Sequence, residues 1–346
     1  MIKLIPPSEN WPKLVEAVIL LGILTVSQTA YGGRYADSML RMEVSPRAAA
    51  LGGAAGALLE NGAVFLQNPA NISYVTKLRV RGLYQSQFGL ASYHHLGIVY
   101  PIVRAMAVAV NWMRFSVNDI PLRPDLSGHS TLSRRNVSRT IASHPAGTFS
   151  DRENAFFLSV ARMYRWDLDL GWRYFKLPVE TPVGMNIKYL HRRLHTIQGH
   201  GLGVDCSVAL KFSMAELLDY RWMGRAGISL LLKDFTGTPI SWNTRSQDII
   251  EPAWQWNWAY EQPIGVNGNA IHLVWRKSTR YRDGSGWGVE WQHRKLLAVQ
   301  LGRNGQGLVG GISVGSSWHK YRLVFEYGFT RHVLGNVHKI SCMLSL

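Results

Sequence analysis

Histidine side chains offer the clearest candidates for chemistry in this chain, but their spacing argues against a metal site. His191 and His195 are four residues apart, which suits a shared metal on a helix. In a strand the same spacing separates them by about 13 Å, so we predict no metal site there. His94 and His95 are adjacent and point to opposite faces if the segment is extended. We interpret this pair as interfacial polar residues.

Catalytic motifs give no support for an enzyme. No segment predicts a nucleophile elbow between a strand and a helix, and the sequence contains neither HExxH nor a P-loop. We therefore predict that the chain is not an enzyme and needs no cofactor.

The two cysteines are predicted to be free. Cys206 and Cys342 fall on the apolar faces of strands that we do not expect to be neighbours. A disulfide needs Cα atoms within about 7 Å of each other, so we expect two free thiols facing lipid.

Basic side chains outnumber acidic ones at the alternate strand positions that carry small or polar residues. The acidic residues at these positions are Asp205, Glu261, Glu290 and Glu326, and the basic ones are Arg79, Arg81, Lys188, Arg192, Lys211, Lys233, Arg276, Arg322, Lys320 and Lys339. Among the basic set, our candidate lumen-facing residues are Lys188, Arg192, Lys211, Arg276 and Arg322. One interpretation is partial pairing together with contacts to anionic lipopolysaccharide; the other is a basic conduit for anionic amphiphiles.

Composition favours a membrane barrel over a soluble protein. The chain has 346 residues, 13 Trp and 14 Tyr, but only 17% charged residues. Aromatic-rich, charge-poor and glycine-rich sequences are typical of outer-membrane barrels with aromatic girdles. The formal net charge of +16 raises the question of nucleic acid. An export signal and the lack of a basic low-complexity run exclude that partner.

The first residues have the layout of a secretory signal peptide. Lys3 and Lys13 precede an apolar run over 15–26, and small residues follow up to Gly32. The run is shorter than the roughly 20 residues of a spanning helix. We predict a signal peptide over 1–32, cleaved near Gly32, with an amphipathic start to a cytoplasmic domain as the alternative. A plug over 33–77 and a barrel over 78–346 complete the predicted organisation.

The plug prediction rests on a small-residue segment directly behind the signal. Residues 48–73 read AAALGGAAGALLENGAVFLQNPANIS, which is too rich in glycine and alanine to build a core of its own. We expect it to lie inside the barrel, with Asn68-Pro69-Ala70 making a sharp turn into the first strand. The plug residues singled out are Leu51, Gly52, Gly53, Asn68, Pro69 and Ala70.

From Leu78 onward the sequence alternates with a period of two, the mark of β-strands. Trp254, Trp256 and Trp258, for example, alternate with Gln255 and Asn257. A membrane barrel places the large apolar residues outside and the small or polar residues inside, which inverts a soluble sandwich. Many predicted strands reach the roughly 9–11 residues that a tilted spanning strand needs.

The pattern predicts an all-β fold, a transmembrane antiparallel barrel of about fourteen strands. These are expected near 78–90, 93–102, 104–115, 154–164, 182–193, 201–213, 224–233, 254–262, 269–277, 285–293, 295–303, 307–316, 319–330 and 336–346. Long connections over 116–153 and 234–253 are placed outside, and short turns near Val103, 293–295 and 317–318 in the periplasm. The segment 165–181 is long on the periplasmic side, and DLDLGWRYF within it is a candidate extra strand.

Six segments, in this order, resemble one known family. They are the NPA segment, GMNIKYL at 184–190, Gly203-Val204-Asp205, GISLLLKDFTGTPISW at 227–242, KLLAVQLG at 295–302 and the closing LGNVHKISCMLSL. Together they resemble the PorV/PorQ family of outer-membrane barrels, which is related to FadL. The resemblance runs from about Ser45 to the end of the chain. It implies a fourteen-stranded monomeric barrel with an N-terminal plug in the bacterial outer membrane.

The resemblance implies two alternative functions. A PorV-like member would serve type IX secretion and surface attachment, with envelope proteins and exported cargo as partners. A FadL-like member would pass hydrophobic or anionic amphiphilic solutes through a lumen controlled by the plug. A structural barrel with a closed lumen is a third possibility. In each case we expect contact with outer-membrane lipid and lipopolysaccharide.

Overall fold

The computed structural model describes residues 36–58, 65–103, 105–123, 130–131, 133–134, 147–169, 171, 176–265, 268–280, 284–332 and 334–346. The predicted signal peptide lies outside these residues. The strands are β1 Arg79–Gln87, β2 Ala91–Val103, β3 Met106–Leu122, β4 Gly147–Asp169, β5 Lys176–Leu194, β6 Ile197–Ser213, β7 Arg225–Lys233, β8 Thr238–Trp242, β9 Gln247–Ile250, β10 Ala253–Ile264, β11 Asn269–Ser278, β12 Ser285–His293, β13 Leu297–Asn304, β14 Gly307–Trp318, β15 Tyr321–His332 and β16 Gly335–Ser345.

Fourteen of the described strands close into one antiparallel barrel. Each of β1–β7 and β10–β16 pairs with its neighbours, and β1 closes the ring by pairing with both β2 and β16. Closure leaves no unpaired edge in the ring, which a β-structure in lipid requires because no water is present to satisfy backbone groups. The predicted fold is therefore confirmed.

The remaining two strands form a hairpin, β8–β9, on the upper part of β6. β7 pairs with β6 only over residues 206–213, and β8 takes over the ladder at Gly199, His200 and Gly201. Asp234 and Gly237, both with positive φ, make the break between β7 and β8. Residues 234–253, predicted as a long outer connection, therefore contain a hairpin that continues the barrel wall.

The predicted long connection over 165–181 is wrong. β4 runs to Asp169 and β5 begins at Lys176, so residues 165–169 and 176–181 extend two existing strands, and of the described residues of DLDLGWRYF only the first three lie in one of them. No additional strand forms within the described part of this segment, and the ring keeps fourteen members.

The barrel exterior is apolar and its interior is polar or small. On β10, Trp256 and Trp258 are 48% and 38% exposed, whereas Gln255 and Asn257 between them are buried. The same inversion holds on β12, where exposed Trp287 and Trp291 alternate with buried Gly288 and Glu290. A closed barrel with large apolar side chains outside is the architecture of bacterial outer-membrane proteins. The protein is such a barrel.

The chain termini define the periplasmic end of the barrel. β1 begins and β16 ends at this end, with short turns at 294–296 and 319–320. The opposite end carries the long β3–β4 connection over 123–146 and the β8–β9 hairpin. Longer connections face the exterior in outer-membrane barrels, so we assign this opposite end as extracellular.

The described helices are short. They are α1 Pro46–Ala50, α2 Met214–Leu218 and the 3₁₀ helices Ser38–Arg41, Ala55–Ala57 and Pro69–Tyr74. None of the helices in the described ranges is long and apolar enough to cross a membrane. All but α2 belong to the segment before β1, which lies inside the barrel as the plug.

Candidate functional site

The plug has two buried segments that contact opposite parts of the wall. The first segment, Ser45–Gly53, contains α1 and packs against β13–β16. The second segment, Asn68–Tyr74, packs against β3–β6. Leu51, Asn68 and Ala70 are completely buried. The predicted plug residues therefore lie in the lumen, while their role in gating stays a prediction.

The first segment begins with a capped helix. The Ser45 Oγ accepts a hydrogen bond from the Ala48 N–H at 3.3 Å, and Pro46 follows at the first helical position. Serine caps an exposed helix start and proline loses no hydrogen bond at that position. Three alanines follow, and because their side chains are small the helix backbone can approach the wall closely.

Inward-facing glycines on the wall receive the first segment. A Cβ on Gly288 would lie 2.7 Å from the Leu51 Cα, and one on Gly302 would lie 2.6 Å from the Ala50 carbonyl oxygen. Gly311 faces the Ala50 methyl in the same way. Backbone therefore packs directly on backbone here, and any side chain at these wall positions would displace the plug.

Gly52 and Gly53 are needed for their backbone conformation as well as their size. Their φ angles are +66° and +74°, in the left-handed region that favours glycine. A Cβ on Gly52 would also collide with the Arg303 and Trp287 carbonyl oxygens of the wall. The GG pair thus turns the chain where no side chain fits.

Two carboxylates of the wall bind the first segment. Glu290 accepts two hydrogen bonds from the Arg47 guanidinium, each 2.5 Å long, and a third from Gln300. Glu326 accepts one from the Ser45 hydroxyl at 3.0 Å and forms a 2.8 Å ion pair with Arg81. Both carboxylates are buried, so their paired geometry matters more than at a surface.

The second segment is held by several neutral hydrogen bonds and by one bond to a carboxylate, from the Tyr74 hydroxyl to Glu180 at 3.1 Å. Asn68 caps the 3₁₀ helix by accepting from the Ala70 N–H at 3.0 Å, and its Nδ2 donates to the Gly56 carbonyl at 2.8 Å. The Ala70 N–H also donates to the Ser207 hydroxyl of β6. A Cβ on Gly184 of β5 would collide with the Pro69–Ala70 backbone. The NPA sequence is thus a helix start, and the predicted sharp turn into β1 is wrong.

A cluster of apolar side chains lies in the extracellular half of the lumen. Plug residues Met39 and Phe65 pack with the inward-facing Tyr93 and Phe157 of the wall and with Ile240 of the β8–β9 hairpin. All five are at most 1% exposed. His95 is buried in this cluster, with its ring stacked on Phe65 at 5.7 Å. The interpretation of His95 as interfacial is therefore wrong, although His94 does face outward.

Four of the candidate basic residues lie inside the barrel with defined contacts. Lys188 is 2.6 Å from both Asp205 and Asp234, and Arg276 is 3.1 Å from Glu43 of the plug. Further partners are Glu153 and the Ala36 carbonyl for Arg192, and the Tyr74 ring for Lys211. Arg322 lies nearer the periplasmic end, half-buried, and donates to the Lys295 carbonyl at 2.9 Å.

Carboxylates that strand alternation could not identify reduce the predicted positive excess in the middle of the lumen. Asp37 and Glu43 come from the plug, and Asp234 from the break after β7. Asp234 pairs with Arg280 at 2.6 Å as well as with Lys188. Lys320, predicted inward, is instead exposed in the turn before β15 because β14 continues to Trp318.

A cavity of about 750 Å³ opens at the periplasmic end below the plug. We call it the vestibule. Its acidic lining residues are Glu261 and Glu326, and its basic ones are Arg47, Arg79, Arg165, Lys211, Arg225, Lys295 and Arg322. Glu261 already pairs with Arg225 at 3.0 Å, and Glu326 with Arg81. The positive potential of the lumen is therefore concentrated here.

The described residues contain no arrangement typical of catalysis or metal binding. Residues 311–315 read GISVG, the spacing of a nucleophile motif, but they lie inside β14, where an elbow cannot form. Ser313 accepts a hydrogen bond from Gln300 at 3.1 Å. No three His, Cys, Asp or Glu side chains of the described part are grouped as metal ligands. Cys206 and Cys342 are free and half-buried on outward-facing positions.

Comparisons with known proteins do not identify a family for this chain. Neither a family model nor a curated protein matches the chain. Solved structures similar to it include the Pseudomonas putida toluene transporter TodX, at 8% identity and a TM-score of 0.47, covering 88% of this chain and 99% of that one. Another is the Acinetobacter baumannii outer membrane protein Omp33, at 11% identity and a TM-score of 0.35, covering 78% and 98%. Likeness at this level transfers no substrate, and PorV/PorQ membership finds no support in it.

Proposed function

We propose that the protein is a plugged outer-membrane channel of FadL-like type that takes up anionic amphiphiles, acting as a monomeric barrel. The observation that carries the proposal is the vestibule, a cavity of about 750 Å³ lined by seven basic and two acidic side chains. Arg47, Arg165 and Arg225 pair with Glu290, Glu180 and Glu261, so the excess of positive charge comes from the other basic residues of the lining. A cavity with one sign of charge and low-dielectric walls concentrates ligands of the opposite sign. A carboxylate or sulfonate headgroup fits this description.

The change of polarity along the lumen supports an amphiphile rather than a simple anion. The extracellular half contains the apolar cluster around Phe65, Tyr93 and Phe157, and the basic side chains beside it, Lys188 and Arg192, are paired with carboxylates. The periplasmic half is cationic around Lys211 and Arg322. A solute with an apolar tail and an anionic head therefore meets matching surfaces in sequence. A small hydrophilic anion would be disfavoured in the first half.

Passage through this lumen requires the plug to move. Met39 and Phe65 of the plug are at most 1% exposed and belong to the apolar cluster in the lumen, where the described side chains leave no open path beside them. The plug therefore acts as the gate in the proposed function. Its first segment, Ser45–Gly53, lies directly between the apolar half and the vestibule and contributes Arg47 to the vestibule lining.

The secretion role implied by the PorV/PorQ resemblance remains a separate prediction. A secretion partner would copurify with other envelope proteins, and its loss would leave cargo in the periplasm. A channel acts alone in vesicles. A purely structural barrel would show neither behaviour, so the three functions are distinguishable.

Binding to the vestibule is testable with two probes of equal chain length and opposite charge. The whole protein in nanodiscs is titrated calorimetrically with octanesulfonate and with octyltrimethylammonium, and empty nanodiscs are subtracted. We expect the sulfonate to bind and the Lys211→Gln/Arg322→Gln variant to bind it at least about tenfold more weakly, since 1.4 kcal/mol corresponds to a factor of ten.

Lys320→Gln is the matched control, because Lys320 is exposed at the same end but lies outside the vestibule lining. It should bind the sulfonate like the unmodified protein. Equal binding of the two probes, or equal weakening by the control, would contradict the proposed anion preference.

A further inference from the structure

The outward face of β2–β5 carries a polar band just below its extracellular rim. In the strand register His94 lies opposite Arg114, Arg114 opposite Asn154, and Asn154 opposite His191. These positions alternate with the buried Tyr93, Met113, Ala155 and Leu190, so the band residues face away from the lumen. A second row directly above comprises Ser92, Ser116, Arg152 and Arg193.

The rows nearer the membrane centre are apolar. Directly below the band, Leu96 lies opposite Trp112, and Phe156 opposite Tyr189. Leu96 and Phe156 are 49% and 46% exposed, as side chains facing lipid tails are. The polar band therefore begins where the apolar exterior ends, at the depth of lipid headgroups.

A depression of about 390 Å³ lies within this band. Its lining residues are Ser92, His94, Trp112, Arg114, Ser116 and Arg152, together with Asn118. No carboxylate lines it. Arg114 and Arg152 are diagonal neighbours on the same face, because Arg114 pairs with Asn154 and Arg152 with Ser116. Diagonal Cα atoms are about 7–8 Å apart, a separation that two guanidinium groups can span around one phosphate.

The two arginines have their donors available for a ligand. Within the described part of the chain, no hydrogen bond or ion pair is formed by either guanidinium. The Asn154 amide oxygen, the nearest acceptor in the row, is already engaged by the Trp112 indole N–H at 3.3 Å. The hydroxyls of Ser92 and Ser116 hydrogen-bond each other at 2.9 Å, which leaves one O–H as a further donor at the same place.

We propose that this depression binds the phosphate headgroup of a phosphorylated lipid of the outer leaflet. Arginine recognises phosphate with paired, charge-assisted hydrogen bonds. The apolar row formed by Leu96, Trp112 and Phe156 gives the acyl chains a surface directly below the headgroup. This continuity favours a lipid over free phosphate, for which the apolar row has no use.

Native mass spectrometry of the whole protein in detergent tests the assignment with three probes. They are a phosphorylated lipid A, the same lipid with its phosphates removed, and inorganic phosphate. We expect the phosphorylated lipid to be retained at least about tenfold more strongly than the dephosphorylated one, the ratio corresponding to one charge-assisted hydrogen bond or more. Inorganic phosphate should not displace it at equal concentration.

Arg114→Gln/Arg152→Gln should abolish this preference for the phosphorylated lipid. Arg162→Gln is the matched control, because Arg162 is an exposed, outward-facing arginine of β4 nearer the periplasmic end. A heat-modifiable gel shift confirms that each variant is folded. Equal retention of the two lipids overturns the proposal, as does full displacement by inorganic phosphate or an equal loss in the control. The lipid comparison on the unmodified protein needs no variant to fold.

Discussion

The two buried segments of the plug are secured by different physical interactions. Ser45–Gly53 lies on wall glycines and is bound by the carboxylates Glu290 and Glu326. Asn68–Tyr74 is bound by amide and hydroxyl groups, including Ser207, and by a single carboxylate contact, to Glu180. Removing one partner of a buried charged pair costs about 3–5 kcal/mol, whereas losing a neutral hydrogen bond costs about 1 kcal/mol. The first segment therefore depends on a few strong contacts, and the second on several weaker ones.

Removing the connection between the segments should have the largest effect. Deletion of Leu51–Leu66 removes Gly52 and Gly53 together with the chain that joins the first segment to the second. If the plug closes the lumen, conductance in planar bilayers should rise well above that of the unmodified protein. Unchanged conductance in a barrel that still shows a heat-modifiable gel shift would reduce the plug to a filler.

Removing the carboxylate that binds the first segment should destabilise the protein more than any other single substitution proposed. Glu290→Gln removes the carboxylate that pairs with the Arg47 guanidinium, a side chain that is only 15% exposed. Losing one partner of a buried pair costs about 3–5 kcal/mol, so the free energy of unfolding should fall by that amount when the variant is unfolded with urea in lipid vesicles.

Arg165→Gln is the control for this charge effect, because the Arg165–Glu180 pair is largely exposed at 64% and 31%. It should cost at most about 1 kcal/mol. An equal loss in the two variants would show that burial does not increase the contribution of the Arg47–Glu290 pair to the free energy of unfolding.

Filling one wall glycine should displace the first segment without touching charge. Gly288→Val places a side chain against the Leu51 backbone, where even a Cβ would lie at 2.7 Å. Overpacking of this kind costs about 1–3 kcal/mol in the free energy of unfolding, and the strained plug should leak. Gly82→Val is the control, since a Cβ there meets nothing within 4 Å. Similar leak from both variants would refute close packing of the plug on the wall.

Weakening the neutral anchor should have the smallest effect. Asn68→Ala removes the cap of the 3₁₀ helix and should cost about 1 kcal/mol, with little change in conductance. Asn68→Ser keeps a capping oxygen and should recover part of that loss in urea unfolding. A conductance rise as large as that of Gly288→Val would contradict the anchored role of this segment.

Strand alternation was sufficient to predict the barrel. Trp256 and Trp258 against Gln255 and Asn257 fix which face meets lipid, and the even number of long strands predicts closure. The small residues of 48–73 predict a segment inside the lumen, and the described residues of this stretch are buried. Local patterns suffice for these features because they follow from a period of two and from side-chain size.

Long-range partners were beyond sequence reasoning. Glu43 and Asp37 neutralise Arg276 and Arg280 across more than 200 residues of chain, a pairing that no local pattern reports. The β8–β9 hairpin was missed because its strands are short, with five and four residues. One available signal was overlooked: Gly286 and Gly288 alternate with Trp287 on β12, which marks a wall that another backbone approaches closely.

Flux through liposomes tests the central proposal most directly. Vesicles containing the whole protein are loaded with octanesulfonate or octyltrimethylammonium, and efflux is compared with that from protein-free vesicles. A lumen ending in the cationic vestibule predicts protein-dependent efflux of the sulfonate at least about tenfold faster than of the ammonium, equivalent to 1.4 kcal/mol. Equal efflux of the two probes, or none above protein-free vesicles, would contradict an anion-preferring channel.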